Sequence, residues 1–158
     1  MSKRRVLFVA STGGHLKELM QLEDMFKKYD FNLITENTES NQYLKKKYND
    51  RVFYLAYGTK DHPLSYPFKL LFNCFKSLWL YFKIHPDYIV TTGVHTAGPI
   101  CCIGKIFGTK IIFIETFANI NTKTVTGRLL YPISDLFVVQ WESLLELYPN
   151  AVYGGWIF

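Results

Sequence analysis

The first candidate site in the sequence is the segment 11–15, which reads Ser-Thr-Gly-Gly-His and follows an apolar run. Gly13 and Gly14 allow a tight turn and a close approach of the backbone to a ligand. A helix that begins here would point its N-terminal amides at that ligand, which favours a phosphate or a developing oxyanion. A plain tight turn, with His15 as a polar residue at a helix start, accounts for the same residues. The dinucleotide fingerprint GxGxxG is absent.

A second glycine turn lies in the segment 91–99, where Thr92 and Gly93 are followed by His95 and Thr96. An apolar run again precedes it, and apolar residues at helical spacing follow. Two such turns together suggest a cleft lined by backbone amides. The alternative is an ordinary connection between a strand and a helix.

Two charged side chains complete the set of candidate residues. Glu115 directly follows the apolar run 111–114, and a carboxylate at the end of a strand can accept hydrogen bonds from sugar hydroxyls or act as a base. A helix-capping or ion-paired carboxylate is the alternative. Arg128 can bind a phosphate in bidentate fashion, or it can be a solvated basic residue.

The elements that must position these residues alternate along the chain. Strands are predicted at residues 6–10, 31–35, 52–56, 88–91, 110–114 and 136–139, with a last strand from Val152. Helices are predicted at residues 16–26, 41–48, 68–84, 98–107, 126–130 and 143–147. This alternation predicts an α/β fold with a doubly wound, mostly parallel sheet. Ligands bind beyond the carboxyl ends of such strands, where the glycine turns and Glu115 lie.

The predicted helix 68–84 is apolar nearly all round and carries lysines at positions 69, 76 and 83, which share one face. This pattern is typical of a helix that lies in a membrane interface, with its lysines reaching lipid phosphates. The alternative is a buried crossover helix that exposes only the lysine face to solvent. About 17 residues with three lysines are too few and too charged to span a bilayer. The residues of this membrane or partner helix that we single out are Phe72, Phe75, Lys76, Trp79 and Phe82.

Length and composition restrict the possible classes of protein. The chain has 158 residues, which fits one domain, and it is 49% apolar and 17% aromatic, which excludes disorder. The net charge of +5 suits an anionic partner such as a lipid, a membrane surface or a nucleic acid, and it also suits a soluble basic protein. The cysteines show no CxxC spacing, so neither a disulfide framework nor a zinc site is expected.

The two ends of the chain carry separate expectations. The apolar run 6–10 is too short for a signal peptide, so none is expected. At the other end, Trp156, Ile157 and Phe158 follow two glycines and form an apolar tail. We expect one Rossmann-like domain over residues 1–153 and a partner-docking tail over residues 154–158.

Five segments, taken together, resemble one family. They are Ser-Thr-Gly-Gly-His at 11–15, Thr-Thr-Gly at 91–93, Phe-Ile-Glu-Thr-Phe-Ala at 113–118, Gly-Arg-Leu-Leu-Tyr-Pro at 127–132 and Val-Gln-Trp at 139–141. This set resembles the PssD/EpsE-type proteins of bacterial capsule and exopolysaccharide biosynthesis. It is also similar to the membrane-anchoring subunit of the eukaryotic split N-acetylglucosaminyltransferase that acts on dolichol-linked sugar, and to the N-terminal half of MurG-type enzymes with the GT-B architecture.

The resemblance implies the acceptor-side half of an inverting, UDP-sugar-dependent glycosyltransferase. A separate donor-binding subunit would hold the UDP-sugar, and the acceptor would be a lipid-diphosphate-linked sugar. His15 and Glu115 become the candidate catalytic residues. No cofactor is implied, and no metal, since no Asp-x-Asp motif occurs. The candidate substrate-binding residues are Thr12, Gly13, Gly14, His15, Thr92, Gly93, His95, Thr96, Glu115 and Arg128.

The expected location is the cytoplasmic face of the bacterial inner (plasma) membrane, held peripherally, with no nucleic-acid partner. Two other hypotheses stay open. The chain could lack catalytic residues and recruit or activate a catalytic partner at the membrane. It could also be a single-domain nucleotide-binding protein, although it has no P-loop and no dinucleotide fingerprint.

Overall fold

A computed structural model describes residues 3–58, 66–94 and 96–157. Within these residues the chain forms one seven-stranded parallel sheet in the order β3-β2-β1-β4-β5-β6-β7. The strands are β1 Arg5–Ala10, β2 Asp30–Glu36, β3 Val52–Leu55, β4 Tyr88–Gly93, β5 Lys110–Ile114, β6 Leu136–Val139 and β7 Val152–Tyr153. The expected Rossmann-like, doubly wound α/β fold is confirmed.

Six α-helices connect the described strands: α1 Gly14–Met20, α2 Glu23–Phe26, α3 Gln42–Tyr48, α4 Tyr66–Ile84, α5 Ala97–Ile106 and α6 Val125–Leu130. Short 3₁₀ turns lie at Glu39–Asn41, Asn49–Arg51, Tyr131–Ile133 and Glu142–Leu145. The strand order reverses at β1, which pairs with β2 on one side and with β4 on the other. The candidate residues after β1 and β4 therefore flank the switch point of the sheet, where ligands bind in open α/β folds.

Several predicted elements have other bounds or another type in the structure. The single helix expected at 16–26 is two helices, because the amides of Gln21 and Leu22 bond carbonyls three residues back and tighten the turn. The helix expected at 143–147 is the 3₁₀ turn Glu142–Leu145. The third strand ends at Leu55, because Asn73 of α4 bonds both backbone groups of Ala56 in place of a neighbouring strand.

The sheet has an apolar core on each face. One face packs Leu7, Val9 and Ile89 against α4 and α5, and the other packs Phe8 and Leu33 against α1, α2 and α3. Burial on both faces explains why β1 is apolar at every position from 6 to 10. Beyond α2 the second face is open, and an apolar groove of about 480 Å³ runs between α2 and strands β1, β4 and β5.

Candidate acceptor site at the carboxyl edge of the sheet

The two glycine turns lie against each other at the carboxyl edge of the sheet. The Ser11 amide donates to the Gly93 carbonyl at 3.1 Å. The Thr92 hydroxyl donates to the His15 carbonyl at 2.7 Å, and His15 Nδ1 lies 2.8 Å from the Thr92 carbonyl oxygen. Residues 77 positions apart in the chain are thus joined by paired hydrogen bonds. The predicted proximity of the two turns is what the structure shows.

The contact with Thr92 fixes the tautomer of His15. A carbonyl oxygen can only accept, so the hydrogen lies on Nδ1, and in the neutral imidazole Nε2 carries the lone pair. Each turn also requires its glycine, since Gly13 has φ +85° and Gly93 has φ +93°. His15 is therefore a partly buried imidazole in a fixed orientation between two glycine turns.

Sequence reasoning missed Glu36, whose carboxylate links the two turns by hydrogen bonds. Its carboxylate accepts a hydrogen bond from the Thr12 amide at 2.9 Å and one from the Thr96 hydroxyl at 3.3 Å. Thr96 also contacts the Ser11 hydroxyl. All three threonines of the candidate list, Thr12, Thr92 and Thr96, thus make hydrogen bonds within the protein. His95 lies outside the described residues.

Glu115 is almost entirely buried, at 1% exposure, directly after β5. The Thr124 hydroxyl lies 2.9 Å from Oε1 and 3.0 Å from Oε2. The Tyr148 hydroxyl donates to Oε2 at 2.9 Å, and the Thr116 amide donates to Oε1 at 3.1 Å. Gly127 packs so closely that a Cβ there would overlap the carboxylate and the Tyr148 hydroxyl. The side chain faces the interior, and its catalytic assignment stays a prediction.

Burial shifts the pKa values of two groups in this cluster. Burial raises the pKa of Glu115 above its usual value, and the hydrogen bonds from Thr124, Tyr148 and the Thr116 amide, with the nearby His15, lower it in part. Burial, followed by the charge of Glu115, raises the pKa of Tyr148. Thr124 is in turn the N-cap of α6, because its hydroxyl accepts the Gly127 amide at 2.9 Å. Glu115 thus anchors the start of α6.

A second buried glutamate, Glu18, was also missed by sequence reasoning. It is 3% exposed and lies on α1, three residues after His15. Its Oε1 accepts the Phe117 amide at 2.6 Å and the Thr116 hydroxyl at 3.1 Å. Its Oε2 is buried and has no hydrogen-bond partner in the described part of the chain. Its spacing from His15, which places both on one side of α1, was the only signal in the sequence.

The apolar tail packs against its own domain. The Trp156 ring lies 5.4 Å from Phe117 and 5.2 Å from Trp141, and Phe117 and Trp141 are 4.9 Å apart between ring centroids. We call these three side chains the aromatic cluster. The Ile157 amide donates to Gln140 at 3.0 Å, yet Trp156 stays 63% exposed. Phe158 lies outside the described residues. Arg128 is exposed on α6.

Helix α4 covers the sheet with one side only. Leu80 and Ile84 are in the core, whereas Phe68 and Phe75 are 76% and 67% exposed. The other exposed apolar residues of α4 are Leu70, Leu71, Phe72, Leu78, Trp79 and Phe82. Lys76 lies over the Phe72 ring at 5.6 Å, and Lys83 lies over the Trp79 ring at 5.0 Å. The helix is thus a crossover helix with a solvent-exposed apolar side, next to which Lys76 and Lys83 lie. We call this side the α4 surface.

No helix within residues 3–58, 66–94 and 96–157 combines the length and the apolar character needed to cross a membrane. In the same ranges, no group of three or more His, Cys, Asp or Glu side chains is placed to hold a metal ion. The cysteines at positions 74, 101 and 102 are free thiols.

The fold is that of one half of larger sugar-nucleotide enzymes. MurG from Acinetobacter baumannii superposes with a TM-score of 0.70 at 18% identity, over 89% of this chain and 42% of that one. UDP-GlcNAc 2-epimerase from Methanocaldococcus jannaschii gives a TM-score of 0.67 at 13% identity, over 90% of this chain and 41% of that one. The chain therefore spans about two fifths of these structures, and the likeness defines a Rossmann-like α/β domain of the GT-B type.

The family follows from sequence. The family described as "Oligosaccharide biosynthesis protein Alg14 like" matches residues 6–157. The mouse UDP-N-acetylglucosamine transferase subunit ALG14 is 28% identical over 178 aligned residues, which cover 96% of this chain and 82% of that protein. The Candida albicans subunit of the same name is 43% identical over 79 residues, or 46% of this chain and 36% of that protein. The chain belongs to the Alg14-like family.

Proposed function

We propose that the chain is the acceptor-side subunit of an inverting, UDP-sugar-dependent glycosyltransferase. It would act with a separate donor-binding subunit and extend a lipid-diphosphate-linked sugar. Relatives across most of its length are named UDP-N-acetylglucosamine transferase subunits, which makes UDP-N-acetylglucosamine the first donor to test. The resemblance of its motifs to PssD/EpsE-type proteins supports a role in bacterial capsule or exopolysaccharide assembly.

The observation that carries this proposal is the fixed imidazole of His15. Its Nδ1–H is held by the Thr92 carbonyl, which leaves the Nε2 lone pair for an incoming hydroxyl. As the acceptor hydroxyl oxygen bonds to the anomeric carbon, Nε2 takes its proton. The bond from that carbon to the UDP oxygen breaks, and UDP leaves with the electron pair. Attack opposite the leaving group inverts the anomeric configuration. The proposal includes no cofactor and no metal.

The remaining candidate residues have supporting places in this proposal. Gly13, Gly14 and Gly93 let the backbone of both turns approach the acceptor closely. Arg128 is exposed, so it is free to approach an anionic group of the acceptor. Glu115 acts by holding the α6 start in place beside His15.

The aromatic cluster and the α4 surface support two further contacts. Trp156 exposes most of its ring at the carboxyl edge, where a donor-binding subunit would have to approach the acceptor. The α4 surface combines bare aromatic rings with lysines and has no acidic residue. This combination suits peripheral contact with the anionic cytoplasmic leaflet of the bacterial plasma membrane.

A second candidate function is a non-catalytic recruiter that brings the partner to the membrane. The inward orientation of Glu115 favours it, since this carboxylate is committed to the domain's own hydrogen bonds. The α4 surface fits it equally well. The two functions differ in whether His15 is needed for turnover.

Transferase assays distinguish these functions. Radiolabelled UDP-N-acetylglucosamine, UDP-glucose and UDP-galactose are offered to membranes that contain this chain, the glycosyltransferase encoded beside it, or both. We expect incorporation only with both chains. His15→Ala is expected to lower kcat at least about 100-fold while the complex stays intact by size-exclusion chromatography. Full activity of this chain alone would refute the split enzyme, and unchanged turnover in His15→Ala would favour the recruiter.

Membrane contact has its own test, sedimentation with vesicles that contain anionic lipid. The double variant Phe75→Ser, Trp79→Ser is expected to lose binding, since both rings are exposed on α4. Val152→Ser removes an exposed apolar side chain from β7 and serves as the matched control. Equal binding by both proteins would exclude the α4 surface as the membrane contact.

A further inference from the structure

Glu18 is the buried ionisable group nearest to His15 along α1 that the proposed reaction does not use. The two residues are three positions apart, which places their side chains on neighbouring parts of one helix face. His15 is fixed to β4 through the Thr92 carbonyl. Glu18 reaches in a different direction, to the loop that follows β5.

The bonds of Glu18 tie that loop to α1. Its Oε1 accepts the Phe117 amide at 2.6 Å and the Thr116 hydroxyl at 3.1 Å. The amide of Thr116 meanwhile donates to Glu115 at 3.1 Å. The loop is therefore held in two ways, by the Glu115 carboxylate within the loop itself and by Glu18 on the helix that carries His15.

The same loop supplies one member of the aromatic cluster. The Phe117 ring packs against Trp141 and Trp156, at centroid distances of 4.9 and 5.4 Å. The Trp141 indole N–H donates to the Phe117 carbonyl at 2.8 Å. The backbone of Phe117 is thus bonded to Glu18 through its amide and to Trp141 through its carbonyl. A short run of hydrogen bonds and ring contacts joins α1 to the cluster.

We propose that Glu18 is a positioning residue that anchors the loop 115–118 to α1 and so fixes His15 relative to the aromatic cluster. This inference rests on the proposed function, in which His15 accepts the proton of the acceptor hydroxyl and the cluster meets the partner subunit. Proton transfer and sugar transfer require the two chains in one geometry, and a misplacement of about 1 Å can cost about 100-fold in rate.

Only one of the two Glu18 carboxylate oxygens has hydrogen-bond partners, and this supports a positioning role for the residue. Its Oε2 is buried with no partner in the described part of the chain, and such burial costs free energy. The other oxygen, Oε1, reaches the loop and accepts the Phe117 amide at the shorter of its two bonds.

The test compares Glu18→Ala with Glu18→Gln in the two-chain complex. Glutamine keeps a carbonyl oxygen that can accept both loop bonds, whereas alanine removes the anchor. We expect Glu18→Ala to lower kcat about 100-fold, with the KM for UDP-N-acetylglucosamine within about twofold because the partner binds the donor. Glu18→Gln is expected to restore kcat to within about fivefold of wild type. Glu146→Ala, an exposed glutamate, is the matched control.

Proton NMR of the isolated full chain tests whether Glu18 positions His15, and it does so without an activity measurement. The His15 Nδ1 proton should give a slowly exchanging imidazole signal in wild type and in Glu18→Gln, and this signal should shift or vanish in Glu18→Ala. Thr116→Val removes one of the two donors and is expected to cause a smaller effect, should Glu18→Ala fold poorly. An unchanged imidazole signal and kcat in a folded Glu18→Ala would overturn the proposal.

Two other outcomes are equally informative. If Glu18→Gln loses as much activity as Glu18→Ala, anchoring is not the role of Glu18 and the proposal falls. If the wild-type complex transfers no sugar from any donor, the proposed function falls, and the imidazole signal still decides whether Glu18 positions His15.

Discussion

Two buried glutamates meet at Thr116 and differ in how completely they are bonded. Both oxygens of Glu115 have partners, from Thr124, Tyr148 and the Thr116 amide. Glu18 uses only Oε1, and its Oε2 has no partner among the described residues. Both glutamates are buried, so it is the difference in their hydrogen bonds that indicates two different roles. Glu115 stabilises the region around α6 and Tyr148, whereas Glu18 links the His15 helix to a neighbouring loop.

The largest expected effect is a difference in the free energy of unfolding between Glu115→Ala and Glu18→Ala. Glu115→Ala leaves two hydroxyls and an amide without their acceptor and should lower the free energy of unfolding by about 3 kcal/mol. Glu18→Ala leaves one hydroxyl and one amide, for a loss of about 1.5 kcal/mol. Urea unfolding followed by circular dichroism measures both. Equal losses would contradict the division of roles.

The next largest effect is expected from a substitution that crowds Glu115. Gly127→Ala places a methyl group against the carboxylate and the Tyr148 hydroxyl, and should lower the free energy of unfolding by about 2 kcal/mol. Gly98→Ala in α5 is the matched control, because a Cβ there meets nothing within 4 Å. Thermal melts of both variants test this, and a neutral Gly127→Ala would show that the cluster can relax.

The N-cap of α6 should contribute a smaller amount. Thr124→Ala removes the hydroxyl that accepts the Gly127 amide and donates to Glu115, and we expect a loss of about 1 kcal/mol in unfolding free energy. Thr124→Ser keeps the hydroxyl and should stay close to wild type. If serine and alanine behave alike in urea unfolding, the hydroxyl has no capping role.

The smallest effect is a dependence of stability on pH. Burial raises the pKa of Glu115 in the folded state, so the native protein retains this proton at pH values where the unfolded chain has lost it. Stability from this group is therefore complete below the ordinary value of 4.5 and declines as pH rises through the raised pKa. Urea unfolding at several pH values should show this decline in wild type relative to Glu115→Gln. Parallel curves would mean that Glu115 titrates normally.

Much of the site could be predicted from sequence because its turns are local features. The glycines at 13 and 93 follow apolar strands, and the structure places both turns at one edge with His15 between them. Glu18 and Glu36 were missed because their partners are distant in sequence: Glu18 bonds a residue 98 positions away, and Thr96 lies 60 positions from Glu36. No local pattern indicates that Glu18 bonds the loop after β5 or that Glu36 bonds Thr96.

The sequence by itself determined the parallel sheet, its carboxyl edge and the long helix α4, because strand and helix periodicity depends on neighbouring residues. Only the tertiary structure decided that Glu115 turns inward to Tyr148, that one oxygen of Glu18 has no partner among the described residues, and that α4 leaves apolar side chains exposed on one side. The physical reason is that burial and the choice of hydrogen-bond partner depend on which distant segments the fold brings together.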